Sequence, residues 1–195
     1  VMNLETLEYP PLTEDIEEAK NHLDKYGMAL IANVLSNDEI DEMDQRLNEQ
    51  FLGEEKYKVG SKVRGDEGLG VESSEEEKVS RLVWNLINKG DCFLKLIDHP
   101  KILPLIQHLI GEKVCLCSMG AHMNGSGNEK MALHQDQWPL VPHPMDFPFM
   151  ANVMYLISDN SPENGGTRLI PGSHKWPLVD YRTANGEEIQ KMANS

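Results

Sequence analysis

His134 and Asp136, in the run Leu133-His134-Gln135-Asp136-Gln137-Trp138, are the residues whose types and spacing point most directly to chemistry. In an extended strand, residues two apart project to the same face, so this imidazole and carboxylate could share one metal ion. A borderline nitrogen donor beside a hard oxygen donor makes two thirds of a 2-His-1-carboxylate triad. That set leaves positions on Fe(II) open for a chelating cosubstrate and dioxygen. Alone, His-x-Asp is a common tripeptide, and an isolated instance is more often a surface hydrogen-bonded pair. A second element follows about thirty residues on, in Asn164-Gly165-Gly166-Thr167-Arg168-Leu169-Ile170-Pro171-Gly172-Ser173-His174-Lys175-Trp176-Pro177. It reads as a turn, a short strand and a Pro-Gly turn that delivers a histidine.

The elements that must position these residues fall into two textures. From the N-terminus, Thr13 reads as the N-cap of a helix with an acidic first turn (Glu14, Asp15, Glu17, Glu18) that stops at Gly27. The run 28–34 is short and strand-like. Ser36-Asn37-Asp38-Glu39 is a capping box that opens a helix with Ile40, Met43 and Leu47 on one stripe, ending at Gly53. Residues 54–79 hold glycines, mixed charge and the cluster Glu75-Glu76-Glu77, and are expected to form a long mobile loop. Order returns at 81–88, and two short helices follow at 91–98 and 101–110. From 112 the pattern is short β runs, 113–120, 131–136, 151–157 and 167–170, broken by Gly, Pro and Asn turns. Helices first and an antiparallel sandwich or barrel second make an α+β arrangement, one domain over 1–195 with the helices packed on one face of the sheet.

Composition removes several function classes. The 195 residues carry 32 acidic and 18 basic side chains, a net charge of −14. Residues 1–50 alone hold 13 acidic and 3 basic residues, whereas 80–195 hold 11 and 10. No clustered basic footprint exists, so a nucleic-acid partner is not expected. No apolar run approaches the ~18 residues of a membrane span, and no signal peptide is visible at Val1-Met2-Asn3-Leu4-Glu5. The three cysteines, Cys92, Cys115 and Cys117, make no disulfide framework and read as small buried residues in a reducing, cytoplasmic compartment.

The ordered set of segments resembles the phytanoyl-CoA dioxygenase family of Fe(II)- and 2-oxoglutarate-dependent oxygenases. The resemblance is carried by Lys25-Tyr26-Gly27 through Ser36, by Trp84-Asn85-Leu86, and by His99-Pro100-Lys101-Ile102-Leu103 through Gly111. It continues in His134-Gln135-Asp136 and in Pro171-Gly172-Ser173-His174, and covers roughly residues 20–180. It implies a double-stranded β-helix, or jelly roll, braced by N-terminal helices. It also implies decarboxylation of 2-oxoglutarate to succinate coupled to hydroxylation of a small organic substrate by O2. His134 and Asp136 match the first two iron ligands, and the presence of Asp136 favours hydroxylation over halogenation.

Other positions carry over one by one. Asn152 falls where the family sets a side chain against 2-oxoglutarate, and Arg81 lies near a basic residue that reaches toward the same cosubstrate. Trp138 is a candidate wall of the substrate pocket or a core residue. Arg168 is a candidate for holding an acidic substrate group or an exposed cross-strand pair. His174 matches a structural signature rather than the third ligand, which in the family comes later, with an arginine anchor for 2-oxoglutarate after it. Residues 178–195 contain no histidine. The expectation is therefore a jelly roll whose final strands are not in this chain, with open sheet edges that favour a homo-oligomer. The alternative is a noncatalytic binding or assembly protein on the same scaffold, lacking the distal iron ligand.

Overall fold

The computed structural model of the chain describes residues 8–59, 61–64, 68–69, 80–124, 134, 136–137 and 147–175. Strand β1 (Leu12–Thr13) leads into helix α1 (Ile16–Tyr26), and β2 (Leu30–Ile31) returns to pair in parallel with β1. The N-cap of α1 is Asp15, not the expected Thr13: its carboxylate accepts from the backbone N–H groups of Glu17 and Glu18 at 2.8 and 2.9 Å. Thr13 is committed to β1, and its hydroxyl supports the cap by accepting from the Asp15 N–H at 3.1 Å.

Helix α2 (Asn37–Tyr57) opens on the capping box read from the sequence, with Glu39 N–H to Ser36 Oγ and Ser36 N–H back to Glu39 Oε2 at 2.9 Å. It does not stop at Gly53. The stripe Met43, Leu47, Phe51 and Glu54 keeps the three- and four-residue spacing of one helix face, and all four are buried. A glycine in a helix interior costs only about 1 kcal/mol relative to alanine. Burying Phe51 outweighs that, and Glu54 is held by Lys89 and by Gln50 Nε2. The helix ends at Lys58 in the left-handed conformation.

The expected loop over 54–79 therefore needs correcting. Glu54–Tyr57 belong to α2, and β3 (Ser61–Arg64) and β4 (Gly68–Leu69) form an antiparallel hairpin. Residues 60, 65–67 and 70–79 lie outside the described residues. Strand β5 (Ser80–Val83) and β6 (Ala121–Met123) complete a four-stranded antiparallel sheet in the order β4-β3-β5-β6. Leu82 and Val83 are both buried, so β5 is covered on its two faces.

Helix α3 (Asp91–Leu94) is shorter than the expected 91–98, and α4 (Leu103–Ile110) starts two residues after the expected 101. The main core gathers Met43, Leu47 and Phe51 of α2, Val83 of β5, and Leu86, Cys92, Phe93 and Leu96. A second cluster joins Ala19 and Leu23 of α1 to Leu105 of α4. No helix among the described residues is long and apolar enough to cross a membrane.

Beyond β6 the described residues form short 3-10 turns at Pro162–Asn164 and Ser173–Lys175 and no regular strand. The expected strands 113–120, 151–157 and 167–170 lack a laddered neighbour there, and most of 131–136 lies outside the described residues. A strand is defined by its partner, and side-chain pattern alone cannot supply one. A two-residue alternation holds from Met154 to Ile157 and fails at Val153, which is exposed. Tyr155 and Ile157 pack on the main core, whereas Asn152, Met154 and Leu156 are exposed. Helices and an antiparallel sheet are present, as an α+β chain, and no closed jelly roll is seen among the described residues. Cys115 and Cys117 are exposed rather than buried; Cys92 alone is in the core, where burial pushes its thiol pKa up.

One long-range joint locks the two ends of the described chain. The carbonyl of Tyr26, at the C-terminus of α1, accepts the Gly172 N–H at 2.7 Å, and the His174 ring lies 3.3 Å from the Asp24 carbonyl. Gly27 sits between them at φ +73, and a Cβ there would stand 2.4 Å from Nδ1 of His174. Gly27→Ala should therefore cost about 1–2 kcal/mol for the left-handed backbone, plus the displacement of the ring. In a His174→Ala background only the backbone cost should remain. Urea midpoints of the four proteins measure both terms, and an equal cost in the two backgrounds would show that the ring is not seated on Gly27.

Candidate functional site

The candidate pair His134 and Asp136 sits on irregular backbone. Asp136 and Gln137 form a turn, and His134 precedes it. Nε2 of His134 lies 3.0 Å from Oδ1 of Asp136. Two donors on neighbouring positions of an octahedral ion, each about 2.1 Å from it, are themselves about 3.0 Å apart. The two side chains thus form an exposed hydrogen-bonded pair, at a spacing that two ligands of one ion would also take. The side chains are 44% and 51% exposed, which leaves room beside them for further ligands. Among the described residues no third His, Cys, Asp or Glu joins them.

Asn152 arrives at the same place from the extended segment 150–157. Its side-chain N–H donates to Oδ2 of Asp136, so the two carboxylate oxygens have different neighbours. That segment is fixed from behind by Tyr155, whose hydroxyl donates to the Leu96 carbonyl at 2.9 Å and whose ring meets His99 edge-on.

Sequence reading passed over Gln137. Its Nε2 donates to the Phe147 carbonyl at 2.8 Å, and its Oε1 accepts from the N–H groups of Phe149 and Met150 at 2.7 and 3.2 Å. Its position next to Asp136 was the available signal, since a long side chain carrying both a donor and an acceptor can stand in for a strand partner.

The remaining candidates make other contacts or fall outside the described residues. Arg81, on β5, forks onto Glu55 of α2, with NH2 to Oε1 at 3.2 Å and NH1 to Oε2 at 3.4 Å. Arg168 is exposed on the stretch that leads to Pro171 and Gly172. Trp138 lies outside the described residues. His174 is engaged with the C-terminus of α1, as described above.

Comparison with known proteins adds three findings. The family model described as "Phytanoyl-CoA dioxygenase (PhyH)" matches residues 23–194. "Dioxygenase af480" of Aspergillus fumigatus is 30% identical over 178 residues, covering 91% of this chain and 55% of that protein. "Probable alpha-ketoglutarate-dependent hypophosphite dioxygenase" of Stutzerimonas stutzeri is 26% identical over 180 residues, covering 89% and 58%. "Dioxygenase sphC" of Aspergillus fumigatus is 24% identical, covering 84% and 46%. The chain thus spans about half the length of the curated relatives it matches. No solved structure gives a significant match.

Half-burial of the Tyr155 phenol, which anchors the Asn152 segment, pushes its pKa up to about 12 from the ordinary 10. Between those values the unfolded chain has released this proton and the folded chain has not. Stability must therefore be full below pH 10 and fall as pH rises toward 12. Spectrophotometric titration should show one late-ionising tyrosine in the native protein that is missing in Tyr155→Phe. The same substitution should cost about 1 kcal/mol at neutral pH, through the lost hydrogen bond to Leu96. A tyrosine titration identical in the two proteins would show that the phenol is not held in this way.

Proposed function

The chain belongs to the phytanoyl-CoA dioxygenase family, and from that premise we propose that it is the metal-binding part of an Fe(II)- and 2-oxoglutarate-dependent dioxygenase that hydroxylates a small organic substrate. The observation that carries the reading is the 3.0 Å approach of His134 Nε2 to Asp136 Oδ1. The alpha-ketoglutarate dependence in the name of one relative supports the choice of cosubstrate, since alpha-ketoglutarate is 2-oxoglutarate. Fe(II), when bound, would supply the site for dioxygen and for the cosubstrate's keto-acid group.

The chain's own residues do the holding. His134 offers a ring nitrogen, which must be unprotonated to ligate. Asp136 offers one carboxylate oxygen and a negative charge that offsets part of the metal's. Asn152, after donating one N–H to Asp136, keeps a second N–H and a carbonyl oxygen for the cosubstrate. In this reading Arg81 and Arg168 supply positive charge for the acidic ends of cosubstrate and substrate. Arg81 then exchanges Glu55 for that partner, and Trp138 walls the substrate side. Over one turnover 2-oxoglutarate loses CO2 and becomes succinate, one oxygen atom of O2 going to succinate and the other to a substrate C–H bond.

Titration of the metal-free chain with Mn(II) by calorimetry tests the centre. His134→Ala should weaken binding by more than about 100-fold, because removing a ligand exceeds the 10–100-fold typical of residues behind ligands. Unchanged affinity in that variant would refute the metal pair. Succinate formation from 2-oxoglutarate with Fe(II) then separates enzyme from binding protein. A chain that binds metal and cosubstrate yet forms no succinate, with or without added residues beyond Ser195, is the noncatalytic scaffold.

A further inference from the structure

We propose that Gln137 is a positioning residue of this centre. Its amide pins the 147–150 segment so that Asn152 reaches Oδ2 of Asp136, leaving Oδ1 as the one carboxylate oxygen directed with His134 at a metal. The inference rests on the metal reading above and adds what sets the denticity of Asp136.

Gln137 directs one N–H and its amide oxygen to backbone. One N–H goes to the Phe147 carbonyl, and the amide oxygen takes the N–H groups of Phe149 and Met150. Those three bonds fix the path of the chain two residues before Asn152. Asn152 then donates to Oδ2 of Asp136, the immediate neighbour of Gln137. Residues 136 and 137 therefore grip residues 147–152 at two points, closing a ring of contacts around the metal turn.

The ring is rigid on its far side. Tyr155 is bonded to Leu96, and Ile157 packs on the main core. Position thus passes from the core, through this segment, to the carboxylate.

The consequence is chemical. A carboxylate with two equivalent oxygens can bind a metal through one or both, and the two modes occupy different numbers of sites. An N–H on Oδ2 draws electron density from that oxygen and makes Oδ1 the better donor, which favours binding through one oxygen. Oδ1 is already 3.0 Å from the His134 nitrogen, at the spacing of a neighbouring ligand. Monodentate binding keeps one more position open for cosubstrate or dioxygen. The amide at 137 provides a donor and an acceptor together at the reach of a long side chain. A carboxylate would face the Phe147 carbonyl, and an apolar chain would leave three backbone groups unpaired.

Co(II) is the probe, because its visible spectrum reports coordination number and geometry directly. In the 195-residue chain, Gln137→Ala and Asn152→Ala should each weaken Co(II) binding by about 10–100-fold and move the visible bands in the same way. The double variant should be no weaker than the weaker single one, since both act on one bond. Thermal midpoints of the metal-free proteins separate this from a general loss of fold. If Gln137→Ala does not fold, Gln137→Met, which keeps the length and volume without the hydrogen bonds, takes its place. Native affinity and spectrum in the Gln137 variant overturn the proposal, as do losses that simply add. If His134→Ala also keeps native affinity, the metal reading itself has failed, which is a different result.

Discussion

Every peptide group in a folded chain needs a hydrogen-bonding partner, and this chain meets that constraint differently in its two halves. In the first half, helices α1, α2 and α4 and the β4-β3-β5-β6 ladder satisfy the backbone internally. Between residues 124 and 175 amide side chains repeatedly do that work. Gln137 serves three groups between Phe147 and Met150, Asn124 donates to the Gly165 carbonyl at 2.8 Å, and Asn164 accepts from the Ser161 N–H at 2.7 Å. The geometry of the His134–Asp136 pair follows, because the residues that meet at Asp136 are held by such bonds rather than by a ladder.

The arrangement separates rigidity from reactivity. The core of α2, β5 and α3 is closely filled, with Met43, Val83 and Phe93 almost wholly buried. His134, Asp136 and Asn152 lie on exposed backbone in front of it. Reactive groups on irregular backbone over a stiff scaffold are a common division of labour, since irregular segments can aim side chains that regular elements cannot. Tyr155 and Ile157 are the connection between the two here, and they alternate along the segment that presents Asn152.

What the sequence made legible was local or chemical. The capping box at Ser36 and Glu39 needs only residues three apart, and it formed as read. The α+β order of helices before extended segments came from periodicity, and His134 and Asp136 were singled out by donor type and spacing before their atoms were placed 3.0 Å apart. The misreadings share a cause. Gly53 is a helix breaker by local rule, yet the burial of Phe51 and Glu54 carries α2 past it. Thr13 is a good cap by type, yet the parallel pair with Leu30 and Ile31 claims it and passes the role to Asp15. Residues 151–157 have the alternation of a strand, but pairing depends on a neighbour that pattern does not name. Gln137 left no periodic trace, and only its place beside Asp136 pointed to it, because its partners lie ten and more residues away.

The joint between α1 and the Pro171-Gly172-Ser173-His174 turn bears on the order in which the protein forms. The Tyr26 and Asp24 carbonyls take partners from Gly172 and His174, the latter 150 residues further along, and the Tyr9 hydroxyl reaches the Leu169 carbonyl across 160. On a ribosome the first helix emerges long before those partners are made. Its core-facing residues can dock against α4 as soon as Leu105 appears, but its C-terminal carbonyls stay with water until nearly the whole described chain has been translated. Contacts of such sequence separation carry a large loop-closure cost and form late. A helix synthesised well before its partners is thus among the last elements to be completed.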